Sequence, residues 1–366
     1  MSDQNTLTTK PRRDFLKLAG VAAGAASLAG VAREADAADA AAASAPAAAA
    51  SAARTATARV AADPTAIPAP IKRRKPAVVD VVLEAREVIA EIEPGVTFRF
   101  MTYNGQVPGP MIRVRQGDTV NLTLRNPADS TQAHNVDLHA VMGPGGGALA
   151  TMAQPGEEAQ VRFKVTYPGA FIYHCAVSNM DMHISSGMFG MIVVEPEEGL
   201  PHADHEFYLG QHEVYLDTPA GVRGERSFNN RAMVHEQPSY VLINGAKDAL
   251  TAKAYGPMKV KTGETARVFF VCGGPNLSSS FHPIGNVWRE VWPQGALRNA
   301  PLRDIQTQPV PPGSTAVATL HFATPGGVKL VDHALSRVVH MGCLAVIQAD
   351  GAPRPDLFQP LGVRKL

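Results

Sequence analysis

The 366-residue chain carries 34 basic and 33 acidic residues, a net charge of +1, with 45% apolar and 18% charged residues. That balance argues against a nucleic-acid partner, and three cysteines are too few for a disulfide framework. The length admits two domains of ordinary size, while 32 glycines and 29 prolines favour turns and short strands over long helices.

The N-terminal "TTKPRRDFLKLAGVAAGAASLAGVAREADAADA" sets Arg12 and Arg13 ahead of a mildly apolar Ala/Gly run. It resembles a twin-arginine export signal over residues 1–38, with a small-residue cleavage motif at Ala35–Ala37, and implies a periplasmic protein. As a membrane anchor the run is short and poor in Leu and Ile, so the mature form is expected to have no membrane span. Residues 39–77, rich in Ala and Pro, are expected to form a flexible linker ending in the basic cluster Lys72–Lys75, a run expected to be solvated.

Strand-like alternation starts near residue 78. "FRFMTYNGQVPGPMIRVRQGDTVNLTLRN" alternates around an Asn-Gly turn and a "QGD" turn. The same order returns in "YVLINGAKDALTAKAYGPMKVKTGETARVFFVCG", and "GEEAQVRFKVTYPGAFIYHCA" has a weaker echo in "GSTAVATLHFATPGGVKLVDHA". A duplication of this length predicts an all-β protein of two tandem Greek-key sandwiches, residues 78–196 and 204–350, joined by "EPEEGLPHAD" and followed by a tail, 351–366.

Between the two halves of the first domain, "QAHNVDLHA" offers His134 and His139, and "FIYHCAVSNMDMHISSGMFG" gathers His174, Cys175, His183 and Met188. Thiolate, imidazole and a distant thioether are the donor set of a blue, or type 1, electron-transfer copper. Adjacent strand residues face opposite ways, so with Cys175 turned inward His174 must turn outward. His134 and His139, five apart, divide likewise. This sorts His134 and His183 with Cys175 and Met188, and His139 with His174 elsewhere. The second domain adds His282 in "SSSFHPIGNVW" and His333 in "VKLVDHALSR" without a neighbouring cysteine, and three histidines would leave a metal open to a small ligand. Cys272 and Cys343 sit in apolar surroundings and read as buried free thiols.

Taken together, "HNVDLHA", "YHCAVSNMDMHISSGM", "SSFHPIG" and "VDHALSR" closely resemble the copper-containing nitrite reductases over most of residues 78–350. The resemblance implies two cupredoxin domains per chain, a homotrimer and two copper ions per subunit. It implies type 1 ligands His134, Cys175, His183 and Met188, and type 2 ligands His139 and His174 from one subunit with His333 from its neighbour. Asp137 and His282 would feed protons to nitrite, Ile284 would shape the pocket, and a small cupredoxin or a cytochrome c would donate electrons. A laccase-type oxidase is disfavoured, because the chain has "HCA" where that family has a His-Cys-His triplet, and no His-x-His. A pure electron carrier would leave Asp137, His139, His282 and His333 without a use.

Overall fold

The computed structural model describes residues 59–365. The export signal and the first part of the linker lie outside the described residues. The chain is almost entirely β. In the first half run β1 (Val78–Glu93), β2 (Val96–Tyr103), β3 (Ile112–Arg115), β4 (Thr119–Asn126), β5 (Asp137–Leu138), β6 (Glu157–Lys164), β7 (Gly169–His174), a short helix α1 (Met180–Ser185) and β8 (Phe189–Glu195). The second half holds β9 (His205–Val214), β10 (Gly224–Arg226), α2 (Asn230–Val234), β11 (Tyr240–Ile243), β12 (Met258–Lys261), β13 (Thr265–Gly274), β14 (Ser279–Ile284) and β15 (Trp288–Pro293). It ends with β16 (Leu302–Ile305), β17 (Gln308–Val310), β18 (Ser314–His321), β19 (Gly326–Asp332), α3 (Leu335–Val339) and β20 (Leu344–Asp350).

These strands build two sandwiches. The first pairs the sheet β10-β2-β1-β4-β6 with β3-β8-β7-β5, and the second pairs β11-β9-β13-β18-β15-β16 with β12-β20-β19-β14-β17. The repeat seen in the sequence is structural, since β2 and β11 each run into an equivalent Asn-Gly turn, after which β3-β4 and β12-β13 follow. Asn104 and Gly105 have φ of 58° and 77°, Asn244 and Gly245 of 55° and 77°. Positive φ at two successive positions is what selects Asn-Gly there.

Each sandwich has its own core, with Leu83, Val114, Leu122, Tyr173 and Ile192 in the first and Leu209, Phe270, Phe281, Trp288 and Leu330 in the second. A third core, including Phe100, Ile172, Phe189, Tyr208, Leu242 and Phe269, lies between them. Strands β9 and β13 are therefore covered on both faces, which explains why "FYLGQHEV" is buried without alternation. A buried chain of three ion pairs lies at this junction: Arg113 on β3 contacts Glu195 at 2.5 Å and, across the seam, Glu206 on β9 at 2.6 Å, and Arg267 on β13 reaches Glu206 at 2.6 Å.

The described part of the linker departs from the expectation. Val60, Ala61 and Ala62 are buried, Val107 N–H donates to the Val60 carbonyl at 2.8 Å, and Tyr208 N–H donates to the Pro64 carbonyl at 2.9 Å. Arg73 of the basic cluster is not simply solvated, for it forks onto the fully buried carboxylate of Asp118. Alanine-rich composition signalled little to bury, yet small side chains are what let this arm lie flat on the seam between sandwiches. Residues 351–365 run along the surface, exposed throughout. Among the described residues no helix is long and apolar enough to cross a membrane.

Burial pushes the Glu206 carboxyl up, but the hydrogen bond and charge of Arg113, with the charge of Arg267, outweigh it and hold the group below its ordinary 4.5. Asp118 is likewise raised by burial and lowered further by Arg73 and two backbone amides, to below its ordinary 3.8. Depressed carboxylates stabilise the fold above the unfolded pKa, so this contribution is expected to fade as pH falls below about 4.5. Arg113→Ala leaves the buried Glu195 without its ion-pair partner and Glu206 with Arg267 alone, and is expected to cost about 3–5 kcal/mol, read as a lower urea midpoint at unchanged slope.

Candidate metal centres

The first cluster forms where β7 ends. His134, bridged to Ala153, Cys175, His183 in α1 and Met188 before β8 are all buried to within 1%. The ligand atoms of His134, Cys175 and His183 lie within 4.8 Å of one another, with His134 Nδ1 3.8 Å from Cys175 Sγ. Backbone bonds close the loop on itself: Cys175 N–H donates to the Met188 carbonyl at 3.1 Å, and Met188 N–H donates to the His183 carbonyl at 3.0 Å. Gly187, at φ 110°, lets the chain turn into Met188, because a Cβ there would stand 2.4 Å from a Val107 methyl.

Burial pushes both His134, aided by the charge of His183, and His183 down to about 4, so both rings are neutral and free to offer lone pairs. Burial also raises the Cys175 thiol. A metal binding there would have to displace its proton, as thiolate ligands require. His183 Nδ1 is buried with no hydrogen-bond partner, an omission a cation would remedy. A soft N₂S donor set with a thioether fits copper.

One residue away, on the opposite face, stands the second cluster. Register pairs Asp137 of β5 with His174 of β7, and His139 N–H donates to the Ile172 carbonyl at 3.1 Å. The Nε2 atoms of His139 and His174 are 3.2 Å apart, and an Asp137 oxygen lies 4.0 Å from His174 Nε2. His174 Nδ1–H donates to the Cys175 carbonyl at 3.1 Å, which leaves Nε2 with its lone pair directed outward. Burial, then the neighbouring His174, lowers His139, so it too is neutral.

His282 on β14 and His333 after β19 form a third group, their rings 5.0 Å apart. His333 is exposed; His282 is half-buried, its Nδ1–H donating to the Gln306 carbonyl at 2.5 Å, and Ile284 is 38% exposed two residues further along the same strand. Within one chain these residues join neither cluster, and the second cluster has two histidines where an open metal site takes three.

A family model described as multicopper oxidase matches residues 84–199. The copper-containing nitrite reductase of Neisseria meningitidis serogroup B is 43% identical over 293 residues, covering 80% of this chain and 74% of that one. The chain belongs to the copper-containing nitrite reductases. A further member, from Cereibacter sphaeroides, is 37% identical over 71% of this chain and 73% of its own. A solved copper nitrite reductase from Nitrosomonas europaea superimposes with a TM-score of 0.67 at 34% identity, covering 76% of this chain and 96% of that one. The reductase fold thus surrounds both clusters described above.

Sequence reasoning passed over Asn135, whose Oδ1 accepts from Ala176 N–H at 2.7 Å and lies 3.7 Å from Cys175 Sγ. Its place inside "HNVDLH" was the available signal. It also passed over Asp332, fully buried beside His333, and the polar run Gln211–Glu213 on β9.

A histidine held neutral in the fold but protonated when unfolded destabilises the folded state on acidification. Three histidines, His134, His183 and His212, sit at about 4. The metal-free protein is therefore expected to lose stability as pH falls from 6.5 to 4, by up to roughly 3 kcal/mol per histidine; urea unfolding across that range checks it, and a flat profile contradicts it.

Proposed function

We propose that this chain is an exported, NO-forming nitrite reductase with two copper ions per subunit. A type 1 copper would be held by His134, Cys175, His183 and Met188, and a type 2 copper by His139 and His174 with His333 of an adjoining copy in a homotrimer. The observation that carries this reading is the placement of two metal-shaped clusters on opposite faces of one strand end, joined by the His174–Cys175 peptide bond. Copper, when bound, supplies one-electron exchange at the sulfur-bearing centre, where electrons would enter, and Lewis acidity toward nitrite at the three-histidine centre.

The protein's own groups supply what remains. Nitrite, one electron and two protons yield nitric oxide and water, so the pocket must deliver protons in sequence. Asp137 stands beside the His139–His174 pair with its carboxylate partly open to solvent. His282, anchored through Nδ1 to Gln306, presents Nε2 as the atom that gives and regains a proton. Ile284, on the same face of β14 as His282, would limit the pocket to a small anion. His333, exposed and with its ring 5.0 Å from that of His282, is suited to complete a site on another copy.

The electron donor would be a small cupredoxin or a cytochrome c, either of which fits a periplasmic reductase. The twin-arginine sequence supports passage of the folded protein into the periplasm, where such donors would meet it.

The decisive assay is anaerobic nitric oxide formation from nitrite with a reduced dye, on copper-loaded protein. His333→Ala is expected to abolish it and to remove type 2 copper while keeping the visible type 1 band; full activity in that variant would exclude the assignment. Cys175→Ala is expected to lose the band and donor-driven turnover yet retain type 2 copper by electron paramagnetic resonance. Asp137→Asn is expected to lower kcat by about 100-fold with both coppers present.

A further inference from the structure

Three consecutive polar residues of β9, Gln211, His212 and Glu213, are buried to 1% exposure or less. Burying an amide, an imidazole and a carboxyl in the seam between two sandwiches is costly unless each has partners. Strand alternation sends His212 to the face of the first sandwich and Gln211 and Glu213 to the second. The partners follow that division.

Toward the first sandwich, His212 Nδ1–H donates to the Ser185 carbonyl at 2.9 Å, and Ser185 Oγ donates back to the Glu213 carbonyl at 2.7 Å. Ser185 ends α1, two residues past His183 and three before Met188. The His212 ring rests 5.5 Å from that of Phe189, and its Nε2 has no partner among the described residues. Among the described residues its bond to Ser185 is thus the one polar contact of this side chain.

Toward the second sandwich, Gln211 Nε2 donates to Asp332 Oδ2 at 3.1 Å, while its Oε1 accepts from Ser279 Oγ at 2.8 Å. The Asp332 carboxylate also receives Ser280 N–H at 3.0 Å, Ala334 N–H at 3.1 Å and Arg337 at 2.6 Å, so it brackets His333 from both sides. Glu213 accepts from the amides of Asn276 and Leu277 at 3.0 and 2.8 Å and from the Tyr215 hydroxyl at 2.6 Å, tying down the turn that leads into β14 and His282.

We infer that Gln211–His212–Glu213 is a positioning strand, setting His183 from one face and His333 and His282 from the other, so that both centres are registered against one rigid element. The inference rests on the assignment of His183 and His333 as ligands. None of the three residues touches substrate. His212 acts through the Ser185 carbonyl, Gln211 through the Asp332 carboxylate and Glu213 through the amides of the turn before β14.

The test uses full-length copper-loaded protein and its metal-free form. His212→Leu is expected to shift the visible band and to change the dye-reduction equilibrium of type 1 copper about tenfold, with type 2 copper retained; His212→Gln, which keeps a donor, should restore both. In metal-free His212→Leu the amides of Ser186 and Met188 should exchange with solvent about tenfold faster, while those of Ile192 and Val193 in β8 stay as in the parent. Gln211→Met should release type 2 copper about tenfold faster on dialysis without moving the visible band. A folded His212→Leu with parental band, reduction equilibrium and exchange would overturn the inference. Should that variant not fold, parental exchange at Ser186 and Met188 in His212→Phe, which keeps a ring but lacks the donor, would overturn it equally. A visible band that survives His183→Ala would instead remove the ligand assignment beneath it.

Discussion

The peptide bond between His174 and Cys175 is the constraint around which the structure is arranged, because a strand end presents adjacent side chains to opposite faces. Cys175 turns into the apolar interior of the first sandwich, where His134, His183 and Met188 are buried beside it. His174 turns toward the surface and meets His139. Two environments of different polarity are thus reached from one covalent unit, and the His174 ring is fixed by the carbonyl of its own neighbour.

That strand end needs a rigid surround, and most of it comes from the second sandwich. The core between the two halves packs Phe189 and Ile172 against Tyr208, Phe269 and Val271, so the loop carrying Cys175, His183 and Met188 closes against strands of the second sandwich. Buried charge supports the same junction: Arg113 and Arg267 share Glu206, and Glu195 completes the set. Such groups add little net stability against an apolar alternative, but once present they penalise any sliding of the sandwiches that would part them. The N-terminal arm, lying across the seam through Pro64 and Pro68, reinforces this registration.

The duplication has diverged in a chemically legible way. Strands β7 and β19 occupy equivalent places in the two halves, and one ends in His174 followed by Cys175 while the other ends in Asp332 followed by His333. In the first half the strand end faces two donor clusters. In the second, the buried Asp332 is consumed by backbone amides and Arg337, and only His333 projects outward. One copy of the fold holds donors, while the other offers a single histidine backed by a carboxylate.

Residue types and their spacing determined much of this protein by themselves. Repeated Asn-Gly turns and alternating segments marked two β-sandwiches, since turn geometry and strand period are local properties. Parity around Cys175 separated the histidines into sets for the same reason. Tertiary structure alone decided which distant groups serve those sets. Asn135 beside the thiol, Asp332 behind His333 and His212 beneath α1 are ordinary polar residues in sequence, and their roles come from partners 27 to 121 positions away. The Ala-rich arm is the clearest case, for composition measures how much a segment has to bury, whereas the packed seam between the sandwiches decides where it lies.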